Sequence, residues 1–149
     1  HVHNEFSQLD GMGTGEDYAK RAKQLGFKYL ALTNHANIDG LIKFQKACES
    51  HDIIPILGCE LYIVEDAEKS TQEKSKIRGH LQVHVKNQIG FENLTKLLTF
   101  ANTDGFYYKP RVDYATVLKH TEGLVFSTAR ARRYGGTVQA HSGTYGEGT

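Results

Sequence analysis

The run YLALTNHANIDGLIKF, residues 29–44, decides the reading of the fold. Its first four residues, Tyr29 to Leu32, are nearly all apolar and show no alternation, the pattern of a strand buried on both faces. A polar loop from Thr33 to Asn37 follows. Asp39 then stands where a cap would open a helix, and Ile42, Phe44, Ala47 and Cys48 share that helix's apolar face. A second apolar run, Ile53 to Leu57, comes next, with Pro55 weakening its centre because proline cannot donate to a sheet ladder. Buried strand, amphipathic helix, buried strand is the unit of an α/β sheet or barrel.

The pattern extends in both directions. Upstream, Thr14 and Asp17 form a capping box, Tyr18, Ala19, Ala22 and Leu25 make an apolar face, and Gly26 ends the helix. Before it, His1 to His3 reads as the end of a strand entering a glycine-rich polar loop. Downstream, Gly58 is expected to break the strand, with Leu61 to Val64 extended beyond it. Residues 65–79, rich in Glu, Lys, Ser and Gln, read as a solvated flexible loop. His80 to Lys86 alternates with period two, placing His80, Gln82, His84 and Lys86 opposite Leu81, Val83 and Val85. Phe91, Leu94, Leu97, Leu98 and Ala101 mark a further amphipathic helix. Asp104-Gly105 makes a turn, Asp113 caps a short helix, and Leu124 to Ser127 is another apolar strand.

Composition narrows the class. The chain has 149 residues, of which 39% are hydrophobic and 23% charged, so it is neither disordered nor built to span a membrane. A formal charge of +1 argues against a basic nucleic-acid arm. Cys48 and Cys59 are the only cysteines, which excludes a disulfide scaffold and makes a reducing cytoplasm the expected compartment. Both read as buried small hydrophobes. The chain opens on His1 instead of Met, so the true N-terminus is expected to be missing.

Histidine is the unusual count, at eight. His1 and His3, two apart on a strand, lie about 7 Å apart and can converge on one divalent ion. Asp10 lies in the loop after them, His35 follows the second strand, Glu60 follows the third, and His80 begins the fourth. Each alone has an ordinary reading as a loop residue or a solvated charge. Together they recur where strands end, the rim on which α/β barrels build their sites. His84 shares a face with His80 but sits about 13 Å along the strand, too far to hold the same ion, and reads as a surface residue. His51 and His120 lie at helix ends, where a positive charge suits the dipole. His141 falls in a Gly- and Arg-rich ending.

The segments HVHNEFSQLDG, LALTNHANIDGLIKF, PILGCELYI, GHLQVHVKNQIGFENL and GFYYKPRVD, in that order, resemble the N-terminal PHP (polymerase and histidinol phosphatase) domain of bacterial DNA polymerase III alpha subunits. The resemblance covers residues 1 to about 129. It implies a distorted β/α barrel with a cleft for up to three divalent ions. By that resemblance, one ion takes His1, His3 and Glu60, a second shares Glu60 and adds His80, and a third takes Asp10 and His35. It also shows departures. Arg130 stands where the family has Cys, and the late Asp-x-His motif is absent, so each site lacks one family ligand and the barrel is expected to be truncated. Asn34 replaces an Asp found in many members and is expected to donate a hydrogen bond behind the ligands. Residues 130–149 read as a divergent tail, either frameshifted or a real divergent C-terminus.

The resemblance implies a parent that is a DNA-directed DNA polymerase. This part would serve mainly as a scaffold, with DNA, the polymerase core and the exonuclease subunit as partners and no membrane. Two alternatives are a metal-dependent phosphoesterase with 3′–5′ proofreading exonuclease activity and a stand-alone PHP phosphatase of small molecules. The run Phe106 to Arg111 argues against the latter. Imidazole-rich ligation suits Zn²⁺ or Mn²⁺, with Fe²⁺ also accommodated, at partial occupancy. No catalytic residue is expected beyond the metal ligands.

Overall fold

The structure, a computed structural model, describes residues 1–128. In chain order these form helix α1 (Gly15–Gln24), strand β1 (Tyr29–Leu32), helix α2 (Leu41–Ser50), strand β2 (Ile54–Val64), helix α3 (Ala67–Gln72), strand β3 (Gly79–Val85), helix α4 (Gln88–Asn102), strand β4 (Arg111–Asp113), helix α5 (Tyr114–Leu118) and strand β5 (Leu124–Thr128). The ending that contains Arg130 and His141 lies outside the described residues.

β2 is the spine of a five-stranded mixed sheet ordered β1-β2-β3-β5, with β4 also paired to β2. Its first part runs parallel to β1, Tyr29 opposite Ile54 through Leu32 opposite Leu57. Its later part runs antiparallel to β3, Gly58 opposite His84 through Ile63 opposite Gly79, and its end lies parallel to β4. β5 is antiparallel to β3. Two cores flank this spine. Ala19, Leu32, Phe44, Cys48 and Ile53 join α1, α2 and β1. Cys59, Leu61, Val83, Leu94, Leu97 and Val112 join α4 to the rest of the sheet. Each fully buried leucine of α4 contributes about 2 kcal/mol.

Local sequence explains most boundaries. Thr14 and Asp17 form the expected capping box, and Gly26, at φ 74°, turns the chain away after α1. Pro55 is tolerated in β2 for a directional reason. The N–H of Ile54 donates to Lys28 O at 2.9 Å, so the neighbouring Pro55 nitrogen faces the other edge, where β3 pairs only from Gly58 onward.

Several expectations are corrected. Residues 1–3 form no strand, being held to the end of β1 mainly by Val2 and Thr33. β1 is not buried on both faces, since Tyr29 is exposed. Gly40, at φ 75° and without a side-chain cap, precedes α2 in place of Asp39, and Ile42 is exposed. Gly58 does not break β2. A Cβ there would lie 2.5 Å from Val83 O, so glycine lets two strands approach closely. Residues 65–79 are not simply a loop. Asp66 caps α3 through Lys69 N, and the buried Arg111 guanidinium bonds Ala67 O and Thr71 Oγ1.

Candidate metal centre

Backbone pairing continues past the end of β1 and places the first groups. Glu60 N donates to Asn34 O at 3.0 Å and Ala36 N to Glu60 O at 2.9 Å, a single parallel bridge that sets His35 opposite Glu60. Ala36 then adopts φ 50° and turns the chain away. On the other edge, β3 pairs Tyr62 with His80 and Glu60 with Gln82, so His80 is the diagonal neighbour of Glu60 on one face. Thr33 N donates to Val2 O at 2.9 Å, which lays the opening segment beside these loops and delivers His1 and His3.

The six predicted residues converge. Glu60 is fully buried. His1 Nε2 lies 2.5 Å from Glu60 Oε2, His3 Nε2 3.3 Å from the same oxygen, and His35 Nδ1 3.6 Å from Oε1. His80 Nδ1 contacts Oε1 directly. Asp10 Oδ2 lies 2.9 Å from His35 Nε2 and 3.9 Å from His3 Nε2. The rings of His3 and His35 stack at 4.2 Å. Three overlapping groups result: His1, His3 and Glu60; His3, Asp10 and His35; and His35, Glu60 and His80. In each, the donor atoms lie within 4.8 Å of one another.

The donors suit a cation. His3 Nε2, His35 Nδ1 and Glu60 Oε2 are buried and have no hydrogen-bond partner; the short approach of His1 lacks hydrogen-bond alignment. Facing polar atoms left in this state are costly unless an ion joins them. Burial first, and then the charge of His35, hold the His3 pKa below the ordinary imidazole value, against the pull of Glu60 and Asp10. Neutral imidazole is the form that ligates. The mixed nitrogen and oxygen set suits Zn²⁺, Mn²⁺ or Fe²⁺.

The remaining residues sort clearly. Cys59 is pushed up to about 12 by burial, and its thiol donates to Asn34 O at 3.3 Å. His84 lies outside the three groups but is half-buried, with Nδ1 enclosed, and is no plain surface residue. His51 at the end of α2 meets Glu16 in the first turn of α1 at 2.6 Å, and His120 just after α5 meets Thr116 O at 2.9 Å, both contacts away from the cluster. Asn34 is buried and braces the opening loop, accepting from Asn4 N at 3.0 Å and donating to Asn4 Oδ1 at 2.7 Å. Two neighbours carried no reading from sequence. Tyr62 stacks on His35 at 5.7 Å with rings 8° from parallel, and burial raises its pKa. Its place two residues after Glu60, on the same strand face, was the available signal. Ser7 bonds three partners at the centre, and a lone loop serine offers no pattern.

The PHP domain family model matches residues 1–146. The chain belongs to the PHP domain family. It is 40% identical over 147 residues, 99% of its length, to a DNA polymerase III subunit alpha of Helicobacter pylori. It is 42% identical over 127 residues, 84% of its length, to the subunit of that name from Treponema pallidum. The chain spans only 12% and 11% of those two relatives. Among solved structures, one described as a metal-dependent phosphoesterase from Bifidobacterium adolescentis superposes with a TM-score of 0.51 at 21% identity, covering 68% of this chain and 31% of that one. That likeness is one of fold, a mixed α/β sheet of the PHP type.

Proposed function

We propose that the chain is the metal-binding PHP part of a cytoplasmic bacterial replicase of the DNA polymerase III alpha type. Its main role in this reading is to hold the polymerase core and an exonuclease subunit together on DNA. The observation that carries the metal half is the fully buried Glu60 carboxylate beneath four imidazoles. The replicase half rests on the two polymerase relatives. His1, His3, Asp10, His35, Glu60 and His80 would hold the ions, Zn²⁺ or Mn²⁺ first. Ions shared by the opening loop, the β1 loop, β2 and β3 stabilise the folded state by mass action. At a hundredfold excess of metal over its dissociation constant this amounts to about 2.7 kcal/mol, a rise in melting temperature on the order of 10 °C. The test is thermal melting with and without Zn²⁺ or Mn²⁺, and of Glu60→Gln beside it. A metal-dependent rise that Glu60→Gln abolishes supports the reading; identical curves in all conditions overturn it.

A second reading, hydrolysis of phosphodiesters at a DNA 3′ end, is favoured by exposure. The side chains of His1 and Asp10 are 49% and 52% exposed, so the cage opens to solvent on one side. Bound ions would supply Lewis-acid stabilisation of charge on a phosphoester oxygen. The chain's own residues would fix the ions and leave that mouth free for a strand end. Shortening of labelled single-stranded DNA with Mn²⁺, above a His3→Ala control, would establish this activity; no shortening leaves the scaffold role alone.

A further inference from the structure

Ser7 lies outside the three ligand groups, yet hydrogen bonds converge on its hydroxyl, and their directions follow from donor counting. Asn34 Oδ1 accepts from the Asn4 backbone N–H at 3.0 Å. Asn34 Nδ2 faces Asn4 Oδ1 at 2.7 Å and the Asp39 carbonyl at 3.4 Å. Only one orientation of that amide satisfies a backbone donor at one end and a carbonyl at the other. Ser7 Oγ lies 3.0 Å from Asn34 Oδ1 and must be the donor there, because the amide oxygen has no proton. The single hydroxyl proton is then committed. The His35 backbone N–H donates to Ser7 Oγ at 3.0 Å. One partner remains, His3 Nδ1 at 2.9 Å. It meets an oxygen with a lone pair and no proton to give, so Nδ1 carries the proton. A neutral imidazole protonated at Nδ1 has its lone pair on Nε2. His3 Nε2 is the buried, unpartnered atom 3.3 Å from Glu60 Oε2.

We propose that Ser7 is a positioning residue that locks His3 in the Nδ1–H tautomer and aims its Nε2 lone pair at the cation shared with Glu60. By accepting from the His35 backbone as well, the same hydroxyl ties two ligand-bearing loops to each other. Asn34 is the origin of the directionality, since its oxygen consumes the proton that would otherwise go to His3. The inference rests on the metal-binding reading and adds to it how one ligand is oriented. Partners behind a metal-ligating histidine commonly change affinity by about 10–100-fold when removed.

Histidine ring nitrogens of the ¹⁵N-labelled whole chain, observed by long-range proton–nitrogen correlation without metal at about pH 8, above the ordinary imidazole value, read the tautomer directly. Wild type should show His3 with a protonated Nδ1 and a bare Nε2. Ser7→Ala should mix the tautomers and weaken Zn²⁺ binding, in competition with a chromogenic chelator, by about 10–100-fold. Ser7→Thr, which keeps a hydroxyl, should restore both. A bare Nδ1 on His3 in wild type overturns the proposal whether or not the alanine variant folds. So does wild-type Zn²⁺ affinity in a folded Ser7→Ala chain. Failure of wild type to bind Zn²⁺ overturns the metal reading instead, and the metal-free tautomer still decides what Ser7 does.

Discussion

His3 is held between two opposing demands. Its ring is almost enclosed, its Nε2 faces Glu60, and it stacks on His35. Burial and the neighbouring imidazole depress its pKa, and burial also depresses that of His84. The unfolded chain therefore binds protons that the folded chain refuses, in the window from the ordinary value of about 6.5 down to the lowered one. Stability consequently rises with pH across that window and is complete above it. With metal chelated, the melting temperature should fall as pH drops below about 6.5, and a His3→Gln chain should show a shallower slope. A melting temperature that climbs on acidification contradicts the assignment. At this scale the sequence marked candidate ligands and one support, Asn34, but was silent about Ser7. His1, His3, Asp10, His35, Glu60 and His80 stood out as candidates because imidazoles and carboxylates recur near the strand boundaries read from sequence, although Glu60 lies inside β2 and His1 and His3 lie in no strand. Ser7 acts through the direction of a single proton, set by the Asn34 amide oxygen, and spacing does not encode that direction. His84 was misplaced because strict alternation predicts a face but not how deeply that face is covered.

Among the elements, α4 shows where a local rule is reversed by packing. Gly90 sits in its first turn, and a Cβ there would lie 1.9 Å from Gly123 O, on the turn that leads into β5. Alanine is the better helix former by about 1 kcal/mol, yet Gly90→Ala should destabilise the chain by about 1–3 kcal/mol, because the helix start would be forced off that turn. Urea titration reads the sign, and an alanine chain as stable as wild type would mean the contact is easily relaxed. Arg111 offers the complementary case. Its buried guanidinium bonds Gly105 O at 3.1 Å, Ala67 O at 3.3 Å and Thr71 Oγ1 at 2.7 Å, which pins α3 to β4. Lysine cannot reproduce that planar fork. Arg111→Lys should therefore speed trypsin cleavage within residues 65–79 several-fold while leaving sites in α4 protected; unchanged cleavage would show that α3 is held by other contacts. This arginine explains why residues 65–79 misled the composition reading. Polar residues there signal solvent, whereas the order comes from the local Asp66 cap together with the Arg111 side chain from more than thirty residues downstream. α1, α4 and α5 were legible because caps and apolar spacing are local signals. The entry to α2 was not, because Gly40 adopts a left-handed turn in place of a side-chain cap.

At the scale of the whole molecule, the site joins two bodies, each built around a core of its own but in contact through shared side chains. His1, His3, Asp10 and His35 belong to the part built on α1, β1 and α2, whereas Glu60 and His80 lie where β2 and β3 cover the second core. β2 passes through both, pairing first with β1 and then with β3, Ile38 packs against both cores, and Phe91 of α4 packs against the first. Imidazoles of the first body also approach Glu60 of β2, and without a cation that approach leaves buried polar atoms unpaired. Ions bound there would act as cross-links whose free energy is felt chiefly by whichever body has less to hold it. The first body has the smaller core, with alanines at Ala19, Ala22 and Ala47 in place of larger side chains. Local opening should therefore begin in it. Hydrogen exchange with Zn²⁺ and then with a chelator tests the idea. Chelation should accelerate exchange in α1, β1 and the loop through His35 by at least tenfold more than in β3 and α4. Uniform acceleration throughout would mean that the two bodies unfold as one cooperative unit and that the metal stabilises only the whole.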